Sequence, residues 1–143
     1  MTGHGIVLGA VTAWALLAAL LDLRYRRLPN PLTLGGAVIA LGWLAVTGEA
    51  LAGPHWKEAV VSGAAAFGFT LPAYLGGAMA AGDVKLCTAM GLMGGYTITL
   101  WAFLLGGLVA GVLAIALLRV GRDRRVPYGA AMAVGFMAAL WFR

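Results

Sequence analysis

The chain has 143 residues, 62% of them hydrophobic and only 10% charged, where a soluble domain is nearer half apolar and a quarter charged. A soluble fold of this length has too little interior to hide so much apolar surface, which excludes an ordinary globular domain and makes lipid the natural solvent. The net charge of +5 comes from basic residues in two short clusters between apolar runs, a pattern of membrane topology rather than of a nucleic-acid surface, and the single cysteine, Cys87, excludes an internal disulfide and a thiolate metal cluster.

A helix that crosses a bilayer core needs about 20 mostly apolar residues. In chain order, six segments read this way: roughly Gly5–Leu21, Leu32–Thr47, Ala59–Ala81 with Pro72 inside it, Val84–Gly94, Thr97–Leu118 and Pro127–Phe142. The first is expected to be a span and not a cleaved signal, because no basic stretch precedes it and Asp22-Leu23-Arg24-Tyr25 is not a small-residue cleavage site. The fourth is short and needs flanking residues or a locally thinned bilayer to cross. The predicted fold class is therefore all-α: a polytopic membrane bundle of about six transmembrane helices in a single domain, residues 1–143.

Arg24, Arg26 and Arg27 lie between the first and second segments, and Arg119, Arg122, Arg124 and Arg125 between the fifth and sixth. The loop holding Glu49, Lys57 and Glu58 has no basic excess. Positive-inside then predicts both arginine clusters in the cytoplasm and the N-terminus outside. Five spans are the alternative, but losing one after Lys85 would put the second cluster on the wrong face. Two G-x-x-x-G spacings, Gly91 to Gly95 and Gly107 to Gly111, predict close helix approach; the other possibility is that some of these glycines leave room for a substrate.

Five residues are acidic. Glu49, Glu58 and Asp123 fall in predicted loops, whereas Asp22 and Asp83 each abut an apolar run. A carboxylate at that depth is costly and marks a functional candidate. Taken singly, each reads as a helix-end residue beside a cation: Arg24 or Arg26 for Asp22, and Lys85 for Asp83. Taken together, they end the first and third predicted spans at the same boundary. Two carboxyls facing one cavity cannot both ionise easily, so they share a proton and titrate as a unit. Such a pair suits proteolysis, in which the ionised member takes a proton from water and the protonated member hydrogen-bonds the scissile carbonyl.

Three motifs then resemble one family. Asp22-Leu23-Arg24-Tyr25-Arg26-Arg27-Leu28-Pro29-Asn30 resembles the first aspartate motif of type IV prepilin peptidases, an aspartate followed by basic residues and I/L-P-N. Ala80-Ala81-Gly82-Asp83-Val84-Lys85-Leu86 resembles their G-x-G-D-V-K-L, and Val126-Pro127-Tyr128-Gly129-Ala130-Ala131 their P-[FY]-G-P segment. Ala80 replaces a motif glycine, which disfavours any positive φ there, and Ala130 replaces a motif proline. The resemblance implies a GxGD-type intramembrane aspartyl protease of the cytoplasmic membrane, without metal or cofactor. Asp22 and Asp83 are its implied catalytic pair; Gly82, Lys85, Arg26, Arg27, Pro29 and Asn30 are its implied substrate-binding or supporting residues. The implied substrate is a prepilin or pseudopilin with a basic leader and an apolar helix, cut at the cytoplasmic face. No methyltransferase portion or paired C-x-x-C motif is present, so the chain resembles the minimal, peptidase-only form similar to that of Flp/Tad systems.

Lys85 either orients Asp83 or is a solvated helix-start lysine. The first-loop arginines are expected to be topogenic, with lipid phosphate or substrate contact secondary. Pro29-Asn30 predicts a turn opening the second span, and Pro127 a first-turn position in the last. His4 and His55 are isolated, and Cys87 reads as a packing residue. Two other functional classes compete: a small transporter or channel with Asp83 and Lys85 on a polar path, and an inactive assembly subunit of a pilus or secretion system, for which Ala80 and Ala130 are the motive.

Overall fold

A computed structural model describes residues 3–121 and 126–142. Arg122, Asp123, Arg124 and Arg125 of the second predicted cluster lie outside the described residues. Five helices follow in order: α1 (Gly3–Tyr25), α2 (Asn30–Thr47), α3 (Trp56–Leu75), α4 (Ala81–Arg119) and α5 (Tyr128–Trp141). The first four are long and apolar enough to cross a membrane, while α5 has 14 residues. Large apolar side chains face outward, among them Ile39 at 64%, Val46 at 87% and Leu118 at 80% exposure, as expected where lipid replaces water around the bundle.

The helix ends have local causes. α1 stops at Arg26, a non-glycine residue in the left-handed region at φ 50, whose N–H donates to the Asp22 carbonyl. Pro29 caps α2, with Pro31 in the first turn where its missing N–H costs no helix bond. Gly48, at φ 74, closes α2 by donating to the Leu44 carbonyl.

One span ends earlier than the sequence predicts, and another stretch holds a sharp break. The third was expected to reach Ala81, but α3 ends at Leu75. There, Gly77 adopts φ 77 and donates to the Tyr74 carbonyl while Ala78 donates to Ala73. This is a Schellman closure, which glycine makes without steric penalty. The apolar composition of residues 76–81 concealed this turn. Asp83 therefore sits in the first turn of α4 and does not end the preceding helix.

The predicted fourth and fifth segments, Val84–Gly94 and Thr97–Leu118, lie on either side of a non-helical break at Gly95 (φ 71, ψ −172), which divides α4 into two helical segments. A Cβ at Gly95 would lie 2.5 Å from Pro54 Cγ, and the next residue, Tyr96, donates its N–H to Glu58 Oε1. The break is thus wedged against the start of α3. Before it, α4 runs beside α2 in the same direction: Lys85 meets Asn30, and the Met93 carbonyl accepts from Ala52 beyond the end of α2. Beyond it, Thr99 meets Ser62 and Phe103 meets Phe69, so the second segment follows α3, which runs back toward the start of α4. The segment before the break, 14 residues at 1.5 Å each, is only about 21 Å long.

The first segment of α4 is the buried centre of the fold, with Leu86, Cys87, Met90 and Met93 in the core beside Phe136 of α5. α4 packs on α2, α3 and α5, and α5 also packs on α1. The two G-x-x-x-G spacings differ in use. A Cβ at Gly91 would lie 2.8 Å from Gly63 Cα, so α3 and α4 touch backbone to backbone. Cβ atoms at Gly107 and Gly111 would meet nothing within 4 Å, and both residues line an apolar cavity instead.

Candidate active site

Asp22 lies in the last turn of α1 and Asp83 in the first turn of α4, 5% and 7% exposed. Both belong to one end of the bundle, because the N-terminus of α5 reaches both. The amide of Ala130 donates to Asp22 Oδ2 at 2.8 Å. Gly129 sits directly against both acids: a Cβ there would lie 2.9 Å from Asp83 Oδ1 and 3.0 Å from Asp22 Oδ2. The two carboxyl oxygens therefore stand no farther apart than those two distances together.

Asp83 is held from its own helix, accepting at Oδ2 from the Ala80 amide at 3.2 Å while its N–H donates to the Ala80 carbonyl. This reciprocal bond occupies one oxygen and leaves Oδ1 toward Gly129. Ala80 has φ −82 and ψ 155, an extended conformation open to any residue, so alanine at this motif position carries no backbone strain. Gly82 supplies closeness: a Cβ there would meet Leu28 Cβ at 3.0 Å.

The carboxyls open into a cavity of about 670 Å³, lined by Asp22, Asp83, Arg26, Arg27, Leu28 and Gly82, by the Gly77–Ala80 turn and by Val126–Tyr128. An apolar cavity of about 820 Å³ lies between α3 and the second segment of α4, with Ala66, Phe69, Phe103, Gly107 and Ala110 in its walls. Met79 and Tyr128 line both. Two closely set carboxyls with room for water beside them have the parts needed to activate water and polarise a carbonyl.

Residues 9–115 match the model of the type IV leader peptidase family. The chain belongs to the type IV leader peptidase family. The matched stretch contains both buried aspartates and ends before α5, so the Gly129-Ala130 segment that abuts them lies outside it. No curated protein and no solved structure matches the chain.

Within this leader peptidase fold, the residues expected to surround the aspartates divide into two groups. Gly82, Arg26 and Arg27 line the cavity. Pro29, Asn30 and Lys85 do not line it; Pro29 caps α2, and Lys85 Nζ donates to Asn30 Oδ1 at 2.9 Å, tying the starts of α2 and α4 together. Sequence reasoning did not place Gly129, the Ala130 amide, Leu28, Met79 or Tyr128 at the acids. The resemblance of residues 126–131 to P-[FY]-G-P was the available signal for Gly129; the apolar walls carry no local signal of their own.

Proposed function

We propose that the chain is an aspartyl endopeptidase that removes the leader from prepilin- or pseudopilin-like proteins at the cytoplasmic face of the cytoplasmic membrane. The observation that carries this is the meeting of Asp22 and Asp83, from separate helices, against Gly129 in a cavity. In this mechanism the ionised carboxylate takes a proton from a water molecule as its oxygen attacks the scissile carbonyl carbon. The protonated partner donates a hydrogen bond to the carbonyl oxygen. Collapse of the tetrahedral intermediate breaks the C–N bond, and a proton passes to the leaving amine.

The membrane arrangement is part of the same proposal. Arg24, Arg26 and Arg27 follow Asp22 directly, so positive-inside puts the acids at the cytoplasmic boundary. α4 crosses twice, turning at Gly95, which yields six crossings and an outside N-terminus. The apolar cavity supports a substrate that presents an apolar helix from the bilayer. Met79 and Tyr128 border both that cavity and the one that holds the carboxyls, which supports a cut where the apolar helix gives way to a polar leader.

The test is co-expression with a leader-bearing, single-helix substrate and mass measurement of the product's N-terminus. Loss of the leader only when this chain is present is the expected result; an intact leader on a membrane-inserted substrate overturns the proposal.

A further inference from the structure

The N-terminus of α5 lacks a cap of its own. The residue before it is Pro127, which forms no side-chain cap, and the first N–H groups of a helix have no partner inside it. Tyr128 turns its amide to the Val126 carbonyl, and Ala131 makes the first bond back to Pro127. Between them, the buried Ala130 amide donates to Asp22 Oδ2, 108 positions away in sequence. Asp22 thus caps α5 from a different helix, and α5 in return fixes one oxygen of Asp22.

This bond requires an N–H at position 130. The P-[FY]-G-P pattern that residues 127–130 resemble has proline there, and proline has no N–H to give. Its Cδ would take the place of the amide hydrogen, and with nitrogen 2.8 Å from Oδ2 that carbon would overlap the carboxylate. A chain with proline at 130 cannot hold this acid in this way. We propose that Ala130 is a positioning residue: its backbone N–H locks the Asp22 carboxyl in the orientation that lets it act on water. The departure from the motif is then an alternative means of setting the acid, not a mark of an inactive subunit. The inference rests on the peptidase function proposed above.

Ala130→Pro, Ala130→Ser and the wild-type chain would be compared for cleavage of the same substrate. A hydrogen bond to a charged group is worth enough that Ala130→Pro should lower kcat roughly 10- to 100-fold, with KM changed less than about threefold, while Ala130→Ser, which keeps the N–H, restores the wild-type kcat. A wild-type kcat for Ala130→Pro, or a serine variant as impaired as the proline one, overturns the proposal. So does a fall in melting temperature with kcat unchanged, the signature of a merely structural cap. Should the proline variant not fold, the ester-linked lactic acid residue at 130, which replaces the N–H with an ester oxygen and keeps the alanine side chain, is judged by the same criteria. Hydrogen exchange reads the bond without turnover: Asp22→Ala should speed exchange of the Ala130 amide at least about tenfold, and an unchanged rate overturns the proposal whether or not the wild-type chain cleaves anything.

Discussion

Gly129 lies so close to Asp83 that a Cβ would stand 2.9 Å from Oδ1, and it would also stand 3.0 Å from Asp22 Oδ2. The missing side chain is what lets α5 reach both acids. Gly129→Ala is therefore expected to push the carboxyls apart or withdraw the N-terminus of α5, lowering kcat at least tenfold. The stability cost should stay within the roughly 1–3 kcal/mol typical of overpacking, because the neighbouring atoms border a cavity and can move. Full activity in Gly129→Ala, measured as cleavage per folded enzyme, would show that the close contact has no role in the reaction.

Asp22→Asn and Asp83→Asn test the acids themselves. Asparagine keeps an oxygen for the Ala130 amide in the first case and for the Ala80 amide in the second, so both variants should insert and fold. Each removes a group that takes or gives a proton, for which losses of roughly 10²- to 10⁴-fold are usual. Cleavage above one-tenth of wild type by either variant, in a purified assay, removes that residue from the reaction.

Lys85 makes a different prediction. Its bond to Asn30 is exposed and joins two helix starts without touching the acids. Lys85→Ala should cost less than about 1 kcal/mol and lower cleavage less than tenfold, much less than either Asp→Asn change. A loss as deep as theirs would mean that Lys85 contacts the substrate.

The two G-x-x-x-G spacings should respond oppositely to the same substitution. Gly91→Ala forces a methyl to 2.8 Å from Gly63 Cα and the Ser62 carbonyl, backbone that cannot rotate away, and should destabilise by about 1–3 kcal/mol. Gly107→Ala enters open space and gains helix propensity worth up to about 1 kcal/mol. Thermal unfolding in detergent measures both, and equal shifts would contradict the packing described.

Much of the site could be read before any coordinates. Asp22 and Asp83 stood out because each interrupts an apolar environment, and the flanking basic and glycine residues tied them to a family. The boundaries were harder. Apolar runs show where lipid is the solvent, but a turn made of Gly76, Gly77, Ala78 and Met79 is as apolar as the helix it ends. Only the positive φ of Gly77 and the bonds back to Ala73 and Tyr74 distinguish it. Lys85 illustrates a further gap: its position in the motif pointed toward Asp83, while its side chain goes to Asn30.

Sequence by itself determined the apolar surroundings, the helical class and the two candidate acids, because these follow from side-chain polarity and from runs along one segment. Tertiary structure alone decided that α5 is the third wall of the site, that Gly91 packs while Gly107 faces a cavity, and that the helix continuing past Met93 breaks at Gly95 against Pro54. Each of these depends on which distant surface a residue meets. Backbone amides and absent side chains are the same at every alanine and glycine, and only packing gives the Ala130 N–H an aspartate to hold.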